Sequence, residues 1–265
     1  MRVIRADLPR ELREVEIHIF ADWHLGDHLC DQERIRSCIE LVRDTEGAYC
    51  IINGDLLNNA TRHSVSDCYA EDVPPMEQVQ QAVELLTPVR DKILAIQSGN
   101  HEGRTYKDAG IDLMEIVARQ MGLYDRFSRG GSVIFVRVGE ERRGRKETCG
   151  SGRVRQICYT IYCNHGRGGG RKEGAKAIRL ADMAGIVDAD IYVHSHTHMP
   201  MTMRQAYYRL DVHNSAVAMV DKLFVNSAAT LGYGGYGEVQ EYKPASTVSP
   251  VIHLSGTKKY FAARL

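Results

Sequence analysis

Short apolar runs rich in Ile, Val, Tyr and Phe recur along the chain at Val15–Phe20, Tyr49–Ile52, Ile93–Ile96, Ile157–Cys163 and Ile191–Val193. Their length and β-branched content predict strands. Between them, helical spacing predicts helices over Gln32–Val42, Met76–Leu86 (entered after Pro74 and Pro75), Ile111–Met121 (closed by Gly122) and Arg171–Ile186. Strand and helix alternate, which favours an α/β layered fold. After Pro200 the pattern turns strand-rich: Met201–Val212 and Val217–Val225 flank Asn214 and Ser215 as a hairpin, followed by a Gly/Tyr loop and further extended segments. This suggests a second sheet packed on the first. The charged, glycine-bearing stretch from Gly139 to Arg155 reads as an exposed loop or hairpin tip. No repeat and no clear linker divides the chain, so residues 1–265 read as one domain.

Composition narrows the classes. Lys and Arg total 34 against 34 Asp and Glu, which excludes a surface built throughout for polyanions but leaves a local basic patch open. The seven cysteines form no CxxC pair and read as free thiols of a cytoplasmic protein. Met1 to Arg13 contains no apolar core of a signal peptide, and no membrane partner is expected.

The chemistry follows the strands. Val15–Phe20 runs into Asp22-Trp23-His24; Tyr49–Ile52 into Gly54-Asp55; Ile93–Ile96 into Gly99-Asn100-His101-Glu102; Ile157–Cys163 into Asn164-His165; and Ile191–Val193 into His194-Ser195-His196-Thr197-His198. Strand ends along one sheet edge converge in space, so these side chains can meet although far apart in sequence. Singly, each is more often a turn or a satisfied polar residue. Five in order, nitrogen and carboxylate oxygen without thiolate, suit a hard or borderline divalent metal.

This ordered set resembles the calcineurin-like metallophosphoesterases, whose motifs are DxH, GDxx, GNH followed by Asp or Glu, a separate His, and GHxH. The resemblance spans roughly residues 15 to 200. It implies two β-sheets packed face to face and flanked by helices, a four-layer sandwich. It also implies one metal on Asp22, His24 and His198, a second on Asn100, His165 and His196, and Asp55 bridging the two. A metal-bound hydroxide would attack phosphorus, with His101 as general acid. The ions implied are two divalent metals, Mn first, with Fe, Zn, Mg or Ni as alternatives.

Two positions depart from the family pattern. Ser195 stands where Gly is usual and His194 precedes it, so the register is either His194/His196 or His196/His198; Ser as the nearest small substitute for Gly favours the latter. Asn58 stands where the family's protein phosphatases carry Asp followed by Arg, which argues against a protein phosphatase. The segment Asp22-Trp23-His24-Leu25-Gly26 is similar to the opening motif of the SbcD-type nuclease branch, so DNA, RNA or a nucleotide diester is the expected substrate class. A phosphomonoesterase and a non-catalytic binding protein with a relic site are the competing readings.

The glycine cluster Gly166–Gly174 fits neither a GxxxxGK[ST] nor a GxGxxG spacing, so a nucleotide-binding loop is rejected. Its Arg167 and Arg171, with Lys172, Lys176 and Arg179, form either a basic rim for a phosphodiester backbone or a solvated helix face. Tyr233 and Tyr236 either present rings to a base or belong to an ordinary connection. His63 and Arg104, within about ten residues of motif positions, are weaker substrate candidates. His18, His28, His213 and His253 carry no spacing argument, and Trp23 is expected to pack behind the site.

Overall fold

The computed structural model describes residues 1–64, 68–141, 155–168 and 170–265, with backbone alone for Glu141, Arg155 and Tyr236. Most of the Gly139–Arg155 stretch therefore lies outside the described residues.

Twelve strands and six α-helices occur among the described residues. In chain order they are β1 (Arg2–Asp7), β2 (Glu14–Phe20), α1 (Gln32–Asp44), β3 (Ala48–Asn53), α2 (Pro75–Leu86), β4 (Ile93–Gln97), α3 (Glu102–Ala109) and α4 (Leu113–Gln120). These are followed by β5 (Phe127–Ser128), β6 (Ser132–Glu141), β7 (Arg155–Cys163), α5 (Glu173–Asp182), β8 (Ile191–His194), β9 (Met201–Asp211), β10 (Ala216–Asn226), α6 (Gly235–Val239), β11 (Val251–Ser255) and β12 (Phe261–Arg264). They build two six-stranded sheets, ordered β12-β11-β2-β3-β4-β5 and β1-β6-β7-β8-β10-β9.

The sheets face each other across an apolar layer that includes Ile17, Ile19, Ile51 and Leu94 from one and Ile134, Val136, Ile161, Val193 and Val225 from the other. Helices cover the outer faces. On the first sheet, Ile35 and Ile39 of α1, Val79 and Leu86 of α2, and Met114 and Val117 of α4 pack on Phe20, Ile52 and Ile96. On the second, Leu180 of α5 and Met183 just beyond it pack on Tyr192 and Phe224. The architecture is thus the helix–sheet–sheet–helix sandwich implied by the resemblance. Burial on both faces explains why β3 and β4 read as unbroken apolar runs.

The expectation that the region after Pro200 forms the second sheet is corrected. β9 and β10 extend a sheet that begins with β1 and β6, whereas β11 returns to pair antiparallel with β2 in the first sheet. Helix α3 leaves no apolar stripe in the sequence, because EGRTYKDA is polar and buries only Glu102. β1 shows no apolar run because its residues alternate with charge, and it is half-covered at a sheet edge. The long helix expected over Arg171–Ile186 is shorter, ending at Asp182 in a single 3₁₀ turn.

Candidate metal centre

β2, β3 and β4 run parallel in the first sheet, and β7 and β8 run parallel in the second. Their C-terminal ends bring every predicted ligand to one edge of the sandwich. Three groups of side chains place their ligand atoms within 4.8 Å of one another: Asp22, His24 and His198; His24, Asp55 and His101; and Asp55, His165 and His196. Shared members His24 and Asp55 link them into one row. His198 Nε2 lies 3.3 Å from Asp22 Oδ1 and 3.3 Å from His24 Nε2. At the other end His165 Nε2 lies 3.1 Å from Asp55 Oδ2 and 3.2 Å from Asn100 Oδ1.

The backbone holds these side chains in an uncommon conformation. Asp22, His24, Asp55, His196 and His198 all have positive φ, between 52° and 65°. A non-glycine residue there costs on the order of 1 kcal/mol or more, and such strain gathers at functional sites. The loops that impose it are cross-tied: Asp22 N–H donates to Gly54 O, His24 N–H to Asp55 O, and His196 N–H to Asp22 Oδ2. Close approach at the middle of the site needs glycine. A Cβ on Gly99 would lie 2.0 Å from Asp55 Oδ1 and 2.4 Å from its amide nitrogen.

Glu102, which the residue pattern did not single out for a role, fastens this arrangement. It is fully buried, and its carboxylate accepts from the amides of Asp55 (3.1 Å), Leu57 (3.0 Å) and Gly99 (2.8 Å). Burial, reinforced by the charge of Asp55, pushes its pKa up to about 7. Asn53 plays the same part between the sheets. Its carbonyl accepts from His165 Nδ1 at 2.6 Å and its amide donates to Ser195 Oγ at 2.7 Å, while Ser227 bonds the same hydroxyl at 2.8 Å. Ser195 is therefore a buried anchor between strand ends. His194 sits in β8 with Nδ1 2.8 Å from Asn226 Oδ1 and belongs to none of the three groups, whereas His196 and His198 each belong to one.

The electrostatics favour a cation. Burial, together with the neighbouring His101 and His198, holds His24 well below its usual range. Burial and His165 bring His196 to about 4. Both rings are neutral at pH 7, with lone pairs available. Burial alone would also lower His165, but the Asp55 carboxylate outweighs it and raises the ring to about 10. Asp22 Oδ1 is buried without a hydrogen-bond partner, a vacancy in the polar accounting that an ion would fill. The imidazole, carboxylate and amide donors fit a borderline divalent ion.

His101 stands at the centre of the row. Its Nδ1–H donates to Asn58 O (2.7 Å), which fixes the ring, and Arg104 Nη2 donates to its Nε2 at 3.0 Å. Burial lowers its pKa, Asp55 opposes that, and Arg104 adds to it. Arg104 also donates to the carbonyls of Asn58 and Asn59. So Asn58 supports the histidine through its backbone rather than through a carboxylate.

The remaining substrate candidates lie outside the three groups. His63 is exposed and faces Asp108 at 3.7 Å. Arg167 is exposed, next to Gly168, whose carbonyl lies 3.2 Å from His196 Nε2. Arg171 stands 5.3 Å over the Tyr242 ring. Tyr233 is half exposed in a loop tied to the segment after His24 by Gly232 N–H to Leu29 O. The side chain of Tyr236 lies outside the described residues. Trp23 is buried against Phe20, behind the site as expected. Six cysteines are free among the described residues, and Cys149 lies outside them. No described helix is long and apolar enough to cross a membrane.

No protein-family model matches the chain, and no curated protein matches it. Among solved structures it is similar to a conserved uncharacterized protein, a predicted phosphoesterase, from Streptococcus pneumoniae (12% identity, 96% of this chain and 99% of that chain, TM-score 0.37). A Vps29 complexed with Zn²⁺ from Entamoeba histolytica is similar at 11% identity over 91% of this chain and 86% of that chain, TM-score 0.35. A metallophosphoesterase from Sphaerobacter thermophilus is similar at 12% identity over 91% of this chain and 84% of that chain, TM-score 0.37. These likenesses are loose, and the chemistry is carried by the side chains described above.

Proposed function

We propose that the protein is a binuclear metal-dependent phosphoesterase that hydrolyses a phosphodiester. The observation that carries this reading is the row of three ligand groups sharing His24 and Asp55, held by strained backbone at the strand ends. Asp22, His24 and His198 would hold one divalent ion and Asn100, His165 and His196 the other; Asp55, grouped with His24 and with His165 and His196, would be shared between them. When bound, such ions supply an activated water and neutralise charge on the phosphoryl oxygens.

The chain's own residues orient and protonate. His101, anchored through Nδ1, presents Nε2 beside Asp55 and His24, where a proton on that nitrogen serves a leaving oxygen. Arg104 donates to the same nitrogen. In this reading it exchanges that contact for a phosphoryl oxygen when substrate arrives, which frees Nε2 to take up a proton from solvent and pass it to the leaving oxygen. Manganese is the first ion to try. The opening Asp22-Trp23-His24-Leu25-Gly26 motif and the exposed basic residues beside His196 lean the substrate towards a nucleic-acid or nucleotide diester.

Chelator-stripped protein is expected to be inactive, and Mn²⁺ to restore hydrolysis of bis-nitrophenyl phosphate in preference to nitrophenyl phosphate. Failure with every divalent ion sinks the enzyme; preference for the monoester replaces the diester reading with a phosphomonoesterase. His101→Asn should keep its metal and lose about 10²- to 10⁴-fold in rate on an ester with a poor leaving group, and much less on a nitrophenyl ester. Equal losses on both would remove His101 as the acid.

A further inference from the structure

The β9–β10 hairpin carries a feature that the candidate site does not use. On the face of β10 that points between the sheets, Leu223 and Val225 are buried beneath the first sheet. The same face continues along the hairpin beyond the point where the covering sheet stops. Arg204 and Asp221, paired at 3.3 Å, mark that border, with Arg204 also donating to Phe261 O of β12. Past it, Tyr208 lies opposite Met219 and Leu210 opposite Val217, so all four project to this one side. They are 81%, 70%, 71% and 61% exposed, and Val212 at the turn is 87% exposed.

We infer that this face is a dimerisation surface on which a second copy of the chain packs its own hairpin. Five large apolar side chains this exposed present on the order of 600 Å², beyond scattered surface residues and close to the roughly 800 Å² per partner of a standard interface. The patch holds no charged residue, and its border carries one charge of each sign, Arg204 and Asp221, so a twofold contact need not oppose like charges. β9 is the last strand of its sheet and contains no proline, which leaves an open edge alongside the patch. A ribbon with one apolar face next to an open edge can pack that face on the same face of a second copy. β10 runs parallel to β8 and ends at Asn226, opposite His194, so the hairpin turn lies about 30 Å from the metal centre at the far end of the sheet. Both centres stay open in the dimer.

Sedimentation velocity on the full chain from 1 to 100 µM tests this. The wild type is expected to reach the mass of two chains, and Tyr208→Thr/Met219→Thr, which keeps strand propensity, to weaken the dimer about a hundred-fold or more. A wild type that stays monomeric throughout overturns the inference, as does a folded variant that dimerises as tightly as the wild type. If the variant fails to fold, hydrogen exchange on the wild type decides. Protection of residues 206–220 that rises with protein concentration supports the interface; protection independent of concentration refutes it.

Discussion

His165 and Asp55 illustrate how single residues would set the conditions for metal uptake at the candidate centre. Without metal, the carboxylate 3.1 Å from the ring holds a proton on His165 up to about pH 10. Because that pKa is raised above 6.5, the pair's contribution to stability is fully present below pH 6.5 and is lost as the pH climbs through about 10. A ligating imidazole must be neutral, so an ion entering at pH 7 has to expel this proton. Titration calorimetry with Mn²⁺ should therefore show a heat that varies with the buffer's ionisation enthalpy, corresponding to about one proton released. Affinity should rise about tenfold per pH unit in the neutral range. Heats identical in phosphate and Tris would show that His165 binds no ion or is already neutral. His196, held near 4, adds no proton to the count at neutral pH.

At the scale of elements, the site depends on how closely the loops after β3 and β4 approach, and Glu102 at the start of α3 ties them. Glu102→Ala would strand the amides of Asp55, Leu57 and Gly99, at roughly 1–3 kcal/mol for a buried donor left unsatisfied, and Gly99→Ala would force the loops apart. Both variants should show a lower urea midpoint and weakened metal binding; either one with wild-type stability and affinity would remove the tie as a cause of the geometry. The same region shows what the sequence makes legible. The ligand motifs could be read because each follows a strand whose apolar run is unmistakable, and their order implied a shared edge. Glu102 and Asn53 both stand at the strand ends that the motifs mark, but their ties cannot be read there, because Glu102 accepts from backbone amides and Asn53 meets Ser195 and His165 from the other sheet. α3 was silent because a polar, half-exposed helix has no apolar stripe. The β1–β6 pairing joins residues 2–7 to 132–137, a long-range register that local periodicity does not encode.

At the scale of the whole molecule, a chain with no net charge places its candidate metal centre across two sheets and borders it with a loop of one charge sign. Arg167, Arg171 and Lys172 are exposed on the segment that leads from His165, and Gly168 in that segment touches His196. If the diester is nucleic acid, this rim neutralises backbone phosphates and releases their counterions, so affinity must fall steeply with salt. Replacing all three by Ala should weaken single-stranded DNA binding and flatten the log–log salt slope by roughly 2, at about 0.7 per lost contact. The bis-nitrophenyl diester, too small to span from metal to rim, serves as the comparison. A triple variant with an unchanged slope would make the rim a solvated face, with Arg171 holding Tyr242 and nothing more. The centre itself would then have to supply the positive charge for its substrate through its ions, and a small nucleotide diester would become the better fit than a polymer.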